Sequence, residues 1–243
     1  CFYSREVPNL MMAGRDISVT KMAFGSTRVM GTCAVGGQAA GTAAALAVRR
    51  GVLPGDMAGH MEELQQTLLR DDCYLPGFAN RDPGDLCRTA KVTAASWKEG
   101  RAPEKAVNGV ARRVDGEENC WESRDLESAQ LTLKLAQPAR VGQVRLTFDP
   151  NLTREIMPSM TRNVRARQVK GLPPELVRDY RVEALRDGEP VWSRTVTGNG
   201  QRLNVLEPEE APVCDTLRIT VLATHGLDSA RIFEVRAYEK GEN

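Results

Sequence analysis

The chain has 243 residues, 41% hydrophobic and 27% charged, enough for one large domain or two small ones of ordinary globular composition. Its formal net charge of +1 provides no global field to attract nucleic acid or an anionic membrane. The most apolar stretch, residues 39–48, is mainly alanine and too short for a membrane span.

The chain opens on Cys1, with no methionine or leader before it, and is expected to begin inside a longer protein. Compartment is therefore not readable from the N-terminus. Residues 9–14, Asn-Leu-Met-Met-Ala-Gly, are a short apolar run ending in glycine. This pattern predicts a buried strand that stops at a close backbone approach. In the Gly25–Gly51 stretch the later half is expected to be helical. Alanine has high helix propensity, Arg49 and Arg50 suit the negative C-terminal end, and Gly51 suits the C′ position. Gly36, Gly37 and Gly41 would fall in its first turns, where glycine is costly unless something needs a bare backbone. A helix start exposes unpaired N–H groups and the positive dipole end, so Thr32 to Gly41 would suit a ligand with negative charge.

Asp56 is a plausible N-cap for a second helix carrying Met61, Leu64 and Leu68. Residues 76–88, with Pro76, Gly77, Pro83 and Gly84, read as a linker. From residue 89 onward short alternating sets predict an antiparallel β-sandwich. The sets are Leu131/Leu133/Leu135, Val144/Leu146/Phe148, Tyr180/Val182/Ala184, Leu217/Ile219/Val221 and Phe233/Val235/Ala237. Asp187-Gly188 is expected to be a hairpin turn. The domain reading is thus 1–75, a linker at 76–88, and 89–243.

Six cysteines, with no C-x-x-C pair, and two histidines, His60 and His225, argue against a zinc or iron–sulfur site built from this chain alone. Free, mostly buried thiols are expected, with a disulfide such as Cys73–Cys87 the alternative.

Three ordered blocks carry a resemblance: N-L-M-M-A-G-R-D-I-S-V-T, then G-S-T-R-V-M, then G-G-Q-A-A-G-T-A-A-A-L-A. They resemble the C-terminal FAD-binding segment of the FAD-dependent oxidoreductase family, related to the FAD subunit of heterodisulfide reductase. The resemblance covers about residues 3–51 and continues weakly to Leu75. It implies that Gly14, Arg15 and Asp16 close over the ribityl chain and pyrophosphate, and that Gly36, Gly37 and Gln38 face the flavin ring. Arg28 would contact flavin or an anionic substrate, or else serve as a structural arginine between loop and strand. Lys21 stands where relatives carry a histidine; it would need a depressed pKa for acid–base work, and the plainer reading is a surface lysine. These two are the only catalytic candidates. No G-x-G-x-x-G turn occurs in the chain, so the first grip on the dinucleotide is expected upstream, as are the cysteines of any 4Fe-4S cluster. The isolated chain is expected to bind FAD poorly and to be inactive alone.

The blocks A-A-S-W-K-E-G-R-A-P-E-K-A-V-N-G and C-W-E-S, followed by a long alternating stretch, are similar to the discoidin-like (coagulation factor type C) domain. That is a galactose-binding-like jelly roll, and the resemblance covers about residues 89–240. It implies an accessory domain that could hold a glycan, with Trp97 as a stacking candidate and Trp121 and Trp192 in the core. It also points weakly to an extracytoplasmic location. The basic run Arg154, Arg162, Arg165, Arg167 and Lys170 reads as a solvated face, with an acidic glycan or phosphate as the alternative. It lacks the interleaved aromatics of a nucleic-acid binder.

Two functions follow. One is the C-terminal part of an FAD-dependent oxidoreductase acting on a small molecule. The other is a stand-alone carbohydrate- or ligand-binding sandwich with a vestigial flavoprotein segment. Oligomeric state and the substrate itself are not legible.

Overall fold

The computed structural model describes residues 1–157 and 159–241. It divides into two compact units, Cys1–Asn80 and Arg81–Asn243.

The first unit is helical. A 3-10 turn at Gly14–Asp16 precedes α1 (Lys21–Thr27) and the long α2 (Met30–Arg50). The expected strand at residues 9–14 is reduced to one bridge between Tyr3 and Met11. A strand needs a neighbour along its length, and among the described residues it has only the short segment around Tyr3. Helix α2 starts earlier than its glycines suggest and ends as expected, with Gly51 left-handed at φ 66°. It turns Ala40, Ala43, Leu46 and Ala47 inward, a 3.6-residue rhythm. These pack with Met57, Leu64, Leu68 and Cys73 into a small core. Asp56 is not an N-cap: it lies inside a 3-10 stretch, Pro54–His60, and α3 (Met61–Arg70) begins only after it. Pro54 opens that stretch because its fixed φ suits a first helical turn. Arg50 grips Glu63 with two bonds, at 3.0 and 2.8 Å, and ties the end of α2 to α3.

The second unit is an antiparallel sandwich of β1 (Lys91–Ala94), β2 (Trp121–Glu122), β3 (Gln130–Phe148), β4 (Val177–Arg186), β5 (Glu189–Val196), β6 (Leu203–Leu206), β7 (Val213–Thr224) and β8 (Arg231–Glu239). One sheet runs β1-β3-β7-β4-β5 and the other β2-β8-β3-β6. The two alternating sets expected at residues 131–135 and 144–148 are one strand, β3. Its register slips between Lys134 and Ala139, around Pro138. Proline cannot donate to a ladder, and the slip lets the strand leave one sheet and enter the other. The inner faces bury Leu131, Leu133, Leu146, Leu217, Ile219 and Val235, with Phe148 edge-on to Tyr180 at 5.0 Å. Each fully buried side chain of this kind contributes about 1.5–3 kcal/mol. Asp187 and Gly188 both have positive φ, 52° and 90°, as a tight two-residue hairpin requires.

The segment read as a linker is shared out. The Ala79 carbonyl accepts from Gln66 Nε2 in the first unit (3.2 Å). Cys87 lies in the sandwich core, and the Asp85 carboxylate accepts from the Ala237 N–H (3.1 Å). None of the six cysteines is in a disulfide; Cys73 sits in one core and Cys87 in the other, so the alternative of a disulfide between them is not realised. Residues 151–172 hold a short exposed helix, α4 (Arg162–Arg167).

Candidate functional site

In the first unit the Gly14–Asp16 turn packs against α2. The link is built from backbone and one ring. Met12 N–H donates to the Phe2 carbonyl (2.9 Å), and the Phe2 ring lies on Gly36, where a Cβ would come within 3.3 Å of it. Gly14, two residues on, has φ +73°, a conformation that favours glycine. Arg15 is exposed and places its guanidinium 5.4 Å from the Phe24 ring centre on α1; Asp16 is exposed beside it. The Thr20 hydroxyl accepts from the Ala23 N–H (3.3 Å) and caps α1. Cys33 in the first turn of α2 donates its thiol to the Thr27 carbonyl (3.4 Å), holding the α1 end against the α2 start.

Two expectations change here. Gly36, Gly37 and Gln38 do not begin a helix; α2 is already in its second turn when it reaches them. Their amides belong to the ladder, so the free N–H groups are those of Met30, Gly31 and Thr32, ahead of the first bond, Cys33 N–H to the Val29 carbonyl (2.9 Å). Valine is a poor N-cap, and Val29 supplies no side-chain bond. Gly36 also has a use within the unit, since Phe2 fills its missing Cβ. Gly31, Gly37 and Gly41 have none: a Cβ at each would meet nothing within 4 Å.

Lys21 is the first residue of α1 and is exposed. Arg28 caps the C-terminus of α1 through its backbone N–H to Phe24 (3.2 Å) and is likewise exposed. It joins two helices rather than a loop and a strand. The structure thus brings Gly14, Arg15 and Asp16 to α2 and sets Lys21 and Arg28 at the two ends of α1. Sequence reasoning missed α1 itself and the uncapped α2 start. The signal was present in Thr20, a good N-cap one residue before Lys21.

In the sandwich Trp97 is 46% exposed in the loop after β1. The loop is pinned by Ser96, whose hydroxyl lies 2.6 Å from Ser128 Oγ, and by Arg124 Nε, which donates to the Trp97 carbonyl (3.2 Å). Trp121 is fully buried, with its indole N–H on the Ser96 carbonyl (3.0 Å). Trp192 is half-buried, packed against the core from edge strand β5. Arg154 pairs with Glu175, while α4 is exposed to solvent. His225 is half-buried and its Nε2 lies 2.7 Å from the Asn199 carbonyl oxygen. Among the described residues no cluster of His, Cys, Asp and Glu could hold a metal ion, and no helix is long and apolar enough to cross a membrane.

Residues 1–68 match the model of the FAD dependent oxidoreductase family. No curated protein matches the chain. Among solved structures it is similar to the lectin domain of lectinolysin complexed with Lewis B antigen, at 15% identity and TM-score 0.50, covering 64% of this chain and 96% of that one. A fucose-binding module of Streptococcus pneumoniae (9% identity, TM-score 0.49, 65% of this chain and 98% of that one) is also similar. So is a family 32 carbohydrate-binding module from C. perfringens in complex with galactose (15%, 0.45, 64% and 98%). At such identities the likeness speaks for fold alone, the antiparallel jelly roll of the second unit.

Proposed function

We propose that the chain is the C-terminal part of an FAD-dependent oxidoreductase, joined to an accessory sandwich that binds carbohydrate. The observation that carries the flavin reading is the open start of α2, within the stretch that matches the family model. Its N-cap is poor, its first three N–H groups lack intrahelical acceptors, and Gly31 leaves the approach bare. A flavin dinucleotide is anionic at its pyrophosphate and, when reduced, near the ring N1, which suits such a helix end. When bound, the flavin would supply two-electron redox chemistry on a small organic molecule.

The chain's own residues would do the following. Met30, Gly31 and Thr32 present donors to negative charge. Gly14 lets the chain turn tightly beside α2, with Arg15 and Asp16 following. Gly37 and Gly41 leave space along the helix for a flat group, in place of the triplet Gly36, Gly37 and Gln38. Arg28 is an exposed cation just ahead of α2, available to an anionic substrate, and Lys21 is available at the start of α1. The dinucleotide-binding turn must come from polypeptide beyond these residues, since no G-x-G-x-x-G occurs among them. Any 4Fe-4S cluster would likewise be held by cysteines outside the chain.

The test compares this chain with a longer protein containing upstream sequence. After desalting, the chain alone is expected to keep far less than one flavin per molecule by visible absorbance, and the longer protein close to one. Stoichiometric flavin on the short chain, or none on the long one, overturns the assignment.

The second reading, a stand-alone binding sandwich with a vestigial helical segment, is favoured by the sandwich having its own complete core. The coding sequence upstream of Cys1 separates the two: a strand leading into G-x-G-x-x-G in frame supports the enzyme. For the carbohydrate role, a glycan-array signal from the whole chain is the test; Trp97 is the candidate on the loop end, and loss of that signal in Trp97→Ala would place the site there. An extracytoplasmic location accords with such a role.

A further inference from the structure

The sandwich has a concavity whose lining does not include Trp97. It lies between the outer strand β5 and residues 207–212, the connection from β6 to β7, and has a volume of about 520 Å³. Trp192, Ser193 and Arg194 line one wall, and Glu207, Glu209 and Glu210 the other.

The walls are fixed. Trp192 lies opposite Ala184 of β4, packs on the sandwich core, is half-buried and is one of the residues lining the cleft. Pro208 and Ala211 anchor the facing connection by burial. Gln143 Nε2 donates to Glu207 Oε1 (2.7 Å), and Lys240 Nζ donates to the Glu209 carbonyl (3.4 Å). Arg194 and Glu210 are exposed, and neither is in an ion pair among the described residues. A plug for the open edge of a sandwich needs only an apolar side chain. It does not need unspent donors and acceptors set on both sides of a cavity.

An indole with polar groups around it is the chemistry that recognises a pyranose. The ring supplies an apolar surface for sugar C–H groups, and the guanidinium, carboxylates and Ser193 hydroxyl divide donors and acceptors among the hydroxyls. Three carboxylates against one guanidinium disfavour an acidic sugar. We propose that this cleft is a saccharide subsite for an uncharged pyranose, with Trp192 as its stacking wall. This rests on the reading of the sandwich as a carbohydrate binder and moves the binding residues from Trp97 to Trp192.

The experiment uses the whole chain on an array of neutral, amino and uronic saccharides, followed by calorimetry with the best neutral sugar. Variants are Arg194→Ala and Glu210→Ala, both at exposed positions, Trp192→Phe, which retains packing, and Trp97→Ala. The expected result is a fall in affinity of about tenfold in each of Arg194→Ala and Glu210→Ala. Trp192→Phe should weaken binding less, Trp97→Ala should leave it unchanged, and uronic saccharides should not bind. Binding that is lost in Trp97→Ala and unmoved in the Arg194 and Glu210 variants overturns the subsite but leaves the carbohydrate role standing. No binding to any member of the array overturns both.

Discussion

At Glu122 several partners converge on one carboxylate whose side chain is 2% exposed. Lys98 Nζ lies at 2.7 Å, the Ser229 hydroxyl at 2.8 Å and Arg231 Nε at 3.0 Å, with Arg101 on the same group. Burial alone would raise its pKa. The bonds from Lys98 and Ser229 and the charges of Arg231 and Arg101 outweigh burial, and the pKa is lowered from 4.5. A carboxylate with a depressed folded pKa contributes stability above its unfolded value and loses it as pH falls through the folded one. Thermal melts should therefore be nearly flat from neutral pH to about pH 5 and fall below about pH 4.5. Glu122→Gln should cost about 3 kcal/mol at neutral pH, the low end for a broken buried pair because Lys98 is solvent-accessible, and should flatten the acid limb. An unchanged acid limb would show that Glu122 is not the group titrating. The thiols give a second residue-scale expectation. Burial pushes Cys120 up to about 12 and Cys87 well above its usual value. Titration of the native protein with an aromatic disulfide should label exposed Cys1 quickly, Cys33 slowly, and the other four only on unfolding. Rapid native labelling of three or more would contradict the placement of the cores.

Helix α2 shows why some elements were legible and others were not. Its C-terminus could be read because Arg49, Arg50 and Gly51 each carry a local reason for ending a helix. Its start could not. Gly31, Gly36, Gly37 and Gly41 lower local propensity, yet the burial of Ala40, Ala43, Leu46 and Ala47 further along carries the helix through them. The expected helix start at Gly36–Gln38 lies about two turns beyond the observed start at Met30–Thr32, where the proposed flavin reading puts the unpaired N–H groups. Thr32→Glu tests the proposed placement with two readouts of opposite sign. A carboxylate in the first turn should stabilise α2 by about 0.3–1 kcal/mol. In the longer, flavin-loaded protein it should weaken retention of the cofactor, because it claims the same N–H groups. A helix gain with no effect on flavin would mean the end serves only the fold. In the sandwich the alternating sets were readable because one face of each is buried. That two of them are a single strand was not, since the slip around Pro138 breaks the period where the join occurs. Gly142 in β3 is another consequence of that strand's course. A Cβ there would come within 2.6 Å of the Lys240 Cα, so Gly142→Ala should destabilise the sandwich by about 1–3 kcal/mol in denaturant melts.

At the scale of the molecule the division of the cores matters most. The helical unit rests on a few alanines, leucines and Met57, while the sandwich has an extensive core of its own. Helices of the first unit report in the far-ultraviolet, and all three tryptophans, 97, 121 and 192, lie in the second. Heating should give a helix signal that is lost before tryptophan fluorescence changes. Coincident curves would mean that the two units unfold together. Apolar side chains such as Met22 at 90% and Met30 at 89% are exposed on the first unit.

Strand β3 has a consequence for how the sandwich comes together. Because its first half belongs to one sheet and its second half to the other, neither sheet can be assembled, or peeled away, as a separate part. Its partners β7 and β8 come from late in the chain, so long loops must close before either ladder is rewarded, which predicts slow folding. Once closed, the same strand acts as a hinge pin. Amide protons of Leu131 and Leu133 in one sheet and of Val144 and Leu146 in the other should exchange only by global opening, and at one common rate.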